Sequence, residues 1–174
     1  MKNRLIFLFV RYLFLLVFGM FGLGLLYSIL SPLTVYPSFF LLKSLYPSVI
    51  YSISTNTISL GNLYIEIIEA CVASSAYYLF LILNLTTSMS YKKRIQSLAF
   101  LLISFLILNI FRIVLFSSLF FKGFAFFNIT HVLVWYLGST LLVVILWFIS
   151  IYLFKIKEIP FYSDIKYLYK PLKK

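Results

Sequence analysis

The chain has 174 residues, of which 63% are hydrophobic, 21% aromatic and only 11% charged, with a formal net charge of +11. A single water-soluble domain of this size cannot hide so much apolar surface, so a soluble fold is excluded and lipid is the expected solvent. The basic residues stand in short flanks around apolar runs, which fits membrane topology and anionic head groups rather than nucleic acid, and the single cysteine excludes an internal disulfide.

Residues 1–174 read as one all-α membrane domain. Four runs reach the ~20 apolar residues that a bilayer-crossing helix needs. The first, Tyr12–Leu30, follows Lys2, Arg4 and Arg11. It is too long for a signal-peptide core and no small-x-small cleavage site follows, so it reads as an uncleaved anchor. Gly19, Gly22, Gly24 and Ser28 give it a stripe of small residues against which another helix can pack.

Residues 31–66 are more than a plain loop. Phe39–Ile53 is apolar, is broken by Pro47, and suggests a helix lying in the interface. Ile58-Ser59-Leu60 and Leu63-Tyr64-Ile65 flank Gly61-Asn62, the pattern of a small hairpin. The second span is expected over Ile67–Leu85, the third over Ile95–Leu119 and the fourth over His131–Phe154. In the tail, 155–174, Phe161, Ile165, Leu168, Tyr169 and Leu172 recur at helical spacing between lysines. That segment is either a basic amphipathic surface helix or a solvated tail.

Lysine and arginine set the orientation. They precede the first helix, occupy the second connection as Lys92, Lys93 and Arg94, and follow the fourth as Lys155, Lys157, Lys166, Lys170, Lys173 and Lys174. The other two connections carry one lysine each, Lys43 and Lys122. The positive-inside rule therefore puts both termini in the cytoplasm, and residues 31–66 and 120–130 outside a cell membrane crossed several times. No Gly-rich phosphate loop and no set of ligands at metal-site spacing is present, so neither a cofactor nor a metal is expected.

Three reactive side chains remain: Cys71, Arg112 and His131. A lone cysteine in an apolar helix is usually an inert small hydrophobe, and a histidine at a helix end often sits among head groups. Arg112 is harder to dismiss, because a charge inside the bilayer costs ~2.5–3.5 kcal/mol on insertion scales and needs a partner or a wet cavity. On the assigned topology all three fall in the outer half of the membrane. Their chemistry is coherent: a thiolate nucleophile at Cys71, an acid–base at His131 and an oxyanion partner at Arg112. Asn109, one turn from Arg112, is placed to orient it. Ser74 and Ser75 share the face of Cys71, where they line either a wet groove or a helix contact. Glu66 and Glu69 lie near the mouth, with Glu69 turned away from Cys71.

Glu69-Ala70-Cys71 at the head of a helix, Asn109-x-x-Arg112-Ile113 in the next, and His131 opening the last resemble the exosortases and archaeosortases, over about residues 55–150. The resemblance is to the small archaeal-type members. It implies a membrane-embedded cysteine transpeptidase, a thiol protease in its first step, with Cys71 as nucleophile and Arg112 and His131 supporting it. The implied partners are membrane proteins ending in a short motif, a transmembrane helix and a basic cluster, with a lipid amine as acceptor. Many members carry Ser/Thr-Gly after the cysteine, where this chain has Val72-Ala73. The alternatives are a non-catalytic ligand-binding or transport subunit, in which Arg112 and His131 hold an anion, and a purely structural bundle partner.

Overall fold

The computed structural model describes residues 2–158. The amphipathic segment expected over Phe161–Leu172 lies outside the described residues.

Helix α1, Lys2–Leu45, is continuous through Pro32 and Pro37. The interfacial helix expected over Phe39–Ile53 is thereby corrected: Phe39–Leu45 is the last part of α1, Pro47 sits in the turn after it, and Ile50–Ser52 is a strand. Internal prolines are tolerated in apolar helices when neighbouring contacts restore the lost hydrogen bonds. Here the stretch is held by Val35 and Leu42, both fully or almost fully buried against the residues that follow.

Those residues form a three-stranded antiparallel meander of β1 (Ile50–Ser52), β2 (Thr57–Leu60) and β3 (Leu63–Glu66). β2 and β3 turn at Gly61-Asn62 in the expected register, with Leu60 opposite Leu63, and Gly61 takes the positive φ of 59° that such a turn requires. The additional strand β1 pairs Tyr51 with Ile58. Val49 and Ile58 are buried on α1, which fixes the sheet to the membrane domain.

The second span is not the single helix expected over Ile67–Leu85. One short turn, α2 (Glu69–Val72), is followed by Ala73 in the left-handed conformation, φ 59° and ψ 44°, and then by α3 (Ser74–Thr86). At 1.5 Å per residue α3 is only about 20 Å long, shorter than a ~30 Å hydrocarbon core. Helix α4 spans Tyr91–Phe121. The last apolar stretch starts one turn earlier than expected, as α5 (Phe127–Leu133), a π-helical turn at Val134–Gly138, and α6 (Ser139–Phe154). Three helical stretches, Leu8–Leu45, Tyr91–Phe121 and Phe127–Phe154, are long and apolar enough to cross a membrane. Large apolar side chains such as Phe21, Ile107, Phe111 and Phe148 stand exposed along them, as lipid-facing residues do.

α4 is the hub. Tyr77 and Phe80 of α3 meet Phe105 of α4 edge-to-face, at 5.0 and 5.5 Å between centroids, beside Val143, Leu146 and Trp147 of α6. Of the small residues in α1, Gly19 makes the close approach: a Cβ there would collide with the Tyr78 hydroxyl, which donates to the Leu15 carbonyl at 2.6 Å. Gly24 faces open space.

The two ends of α4 carry different polar sets. Near its start, Arg94 donates to the carbonyls of Asn84 (2.8 Å), Leu85 (3.0 Å) and Thr87 (3.0 Å). These are the carbonyls that the end of α3 leaves without helical partners. Asn84, Ser97 and Ser150 form a buried chain across α3, α4 and α6. Arg112 lies about 27 Å further along α4, at the end that carries the sheet.

Candidate active site

The helix break after α2 organises the site. Because Ala73 leaves the helical path, the carbonyls of Cys71 and Val72 have no later amide to accept from. Side chains of α4 supply the donors. Asn109 Nδ2 donates to the Cys71 carbonyl at 2.9 Å and to the Val72 carbonyl at 3.3 Å. Arg112 Nη2 donates to the Cys71 carbonyl at 3.3 Å, and Arg112 Nη1 to Ser139 Oγ at 2.5 Å. The guanidinium thus ties α2 to α6 across α4 and is held beside the cysteine. Asn109, expected to orient Arg112, donates to the same Cys71 carbonyl as Arg112, and no hydrogen bond joins the two side chains among the described residues.

From the other side, the sheet fixes the approach to α2. Asn56, itself at a positive φ of 51°, donates from Nδ2 to the Ile67 carbonyl at 2.7 Å, and its own carbonyl accepts from Ile67 N–H at 3.0 Å. Its Oδ1 accepts from the Tyr51 hydroxyl at 2.8 Å. Ile67 is buried. Cys71 therefore sits on a turn clamped from both directions.

His131 reaches the same place from α5. Its ring stacks on Phe127 at 5.4 Å and 7°, and meets the edge of Phe116 at 5.3 Å and 71°. Among the described residues it makes no hydrogen bond, so neither ring nitrogen is committed. His131, Trp135 and Ser139 recur every four residues, which overshoots an α-helical turn of 3.6. The wider π turn absorbs the excess, and such turns are frequent at functional sites.

Cys71, Arg112 and His131 line one cavity of about 340 Å³, together with Glu66, Trp135 and an apolar wall that includes Phe116, Phe120 and Phe127. Three residues separated by 41 and 19 positions in sequence are brought to one space. Ser74 and Ser75 are not part of it. The Ala73 kink rotates them off the Cys71 face, leaving Ser74 buried and Ser75 exposed. Glu66 lines the cavity and Glu69 does not, and neither pairs with Arg112 or His131 among the described residues. Ser139, Trp135 and Tyr64 escaped the sequence reading. Tyr64 showed only as part of the hairpin, and Ser139 only as part of the polar triplet Gly138-Ser139-Thr140 in an apolar helix. Among the described residues no group of three metal-ligating side chains occurs. No protein-family model, curated protein or solved structure matches the chain.

Proposed function

We propose that the chain is a membrane-embedded cysteine transpeptidase, which cuts a C-terminal sorting signal from membrane-anchored proteins at the outer face and passes the product to a lipid amine. The observation that carries this reading is the convergence of Cys71, Arg112 and His131 on one cavity. A second support is local. Ala73 adopts a left-handed conformation that favours glycine, at the position where many exosortase-like proteins carry glycine and this chain does not.

The proposed topology has four spans, with α2 and α3 crossing together as the second and both termini in the cytoplasm. Lys92, Lys93, Arg94, Lys155 and Lys157 gather at the end of the bundle away from the cavity, as the positive-inside rule asks of a cytoplasmic face. Lys93 Nζ donates to the Lys155 carbonyl at 3.3 Å, which joins the two basic segments.

In the reaction, His131 takes the proton from Cys71 Sγ, and the thiolate bonds to the scissile carbonyl carbon. Arg112 faces the oxyanion from its anchored position. Collapse breaks the C–N bond, His131 returns the proton to the leaving amine, and a thioester remains on Cys71. The acceptor amine then attacks that thioester and gives its proton to His131; the C–S bond breaks, and the Cys71 thiolate takes that proton back from His131. His131 and Cys71 are not hydrogen-bonded to each other in this structure; catalytic hydrogen bonds commonly tighten only once substrate enters.

The test uses a reporter whose C-terminus is the motif, apolar helix and basic cluster of a native membrane protein from the same genome. Wild-type protein converts the reporter to a shorter form, whereas Cys71→Ala and Cys71→Ser leave it full length at matched protein levels. Clipping by Cys71→Ala at the wild-type rate would remove the transpeptidase reading and favour a ligand-binding subunit.

A further inference from the structure

β3 is the last strand of its sheet, so only one of its edges is paired. Thr57 opposes Glu66 in the β2–β3 register, and the next pair, Asn56 and Ile67, is hydrogen-bonded. Antiparallel ladders alternate hydrogen-bonded and non-hydrogen-bonded pairs. Leu63, Ile65 and Ile67 therefore aim their main-chain groups at β2, while Tyr64 and Glu66 aim theirs at the open edge. Beyond the sheet, the main chain of Tyr64 and Glu66 finds no partner among the described residues. Tyr64 is 74% exposed. Both residues line the cavity that holds Cys71, and from Glu66 the chain runs through Ile67 and Ile68 directly into α2.

We propose that this free edge of β3 receives the substrate as a fourth strand: the extended peptide next to the scissile bond pairs with the main chain of Tyr64 and Glu66 and continues to Cys71. The inference rests on the transpeptidase reading and adds how the substrate is held. An open strand edge offers N–H and C=O groups about 7 Å apart at alternate residues, a spacing that another extended peptide meets and a lipid head group does not. Main-chain pairing positions the backbone whatever the side chains are. Alternate side chains of the added strand then face Phe116, Phe120 and Trp135, so apolar residues at alternate positions near the cut are the favoured class. An exposed edge is also a template for a second copy of the same chain, which is the competing occupant.

Two measurements with the tailed reporter decide it. A photo-crosslinking benzoylphenylalanine in place of Tyr64, in a Cys71→Ala background, is expected to capture the reporter tail. Tyr64→Pro removes the outward N–H without touching the β2–β3 ladder, and is expected to cut clipping at least tenfold more than Tyr64→Ala does. The rate at which Cys71 reacts with a small maleimide in Tyr64→Pro and in Tyr64→Ala confirms that the site is intact. Equal loss in Tyr64→Pro and Tyr64→Ala, or crosslinks only between two copies of this chain, would overturn the docking edge while leaving the chemistry standing. Capture of the tail without clipping by wild type would support the edge and sink the transpeptidase. Neither capture nor clipping would overturn both.

Discussion

Arg112 reaches two elements at once, with one nitrogen on the Cys71 carbonyl and the other on Ser139 Oγ. A lysine has a single ammonium on a flexible stem and cannot hold that fork. Arg112→Lys is therefore expected to lower reporter clipping ~10²-fold, the scale of losing an oxyanion donor. Near-normal clipping at matched protein level would reduce Arg112 to a packing charge. Ala73 gives a separate prediction. A left-handed conformation costs a residue with a Cβ ~1–2 kcal/mol, so Ala73→Gly is expected to recover about 1 kcal/mol, offset in part by greater freedom of the unfolded chain. Thermal unfolding in detergent checks this, and an unchanged or lowered midpoint would contradict it.

At the scale of elements, what could be read from sequence depended on how much chain carries each signal. Apolar runs of about 20 residues, the length that crosses a bilayer core, announced α1, α4 and the α5–α6 stretch, and Gly61-Asn62 announced the β2–β3 turn. The break at Ala73 did not show, because Val72-Ala73-Ser74 contains no glycine or proline and every residue there suits a helix. It is imposed by tertiary contacts, with Asn109 and Arg112 taking the orphaned carbonyls. The same break explains why Ser74 and Ser75 leave the site: a regular helix would have kept them on the Cys71 face. β1 is too short to show a period. The π turn leaves no pattern either, since His131, Trp135 and Ser139 look like ordinary four-residue neighbours. Of the site, the three reactive residues were legible because charge, thiol and imidazole are conspicuous in an apolar chain. Ser139 was not, because a serine in an apolar helix ordinarily satisfies itself on its own backbone.

At the scale of the whole molecule, the bundle has two unlike ends. Lys92–Arg94 and Lys155 mark one end of the bundle, and the sheet, Lys122 and the cavity mark the other. Because Cys71 is the only cysteine, a membrane-impermeant maleimide on intact cells reports its side directly. Labelling without opening the membrane is expected, and labelling only from the cytoplasm would invert the topology. The central claim, that Cys71 carries the substrate through a covalent intermediate, has its own direct readout. Wild-type protein incubated with the tailed reporter is predicted to hold a thioester adduct on the peptide containing Cys71. The mass it adds should be that of the N-terminal part of the reporter less one water, and neutral hydroxylamine should release it. Reporter clipping with no such adduct, or the same adduct in Cys71→Ala, would contradict the account.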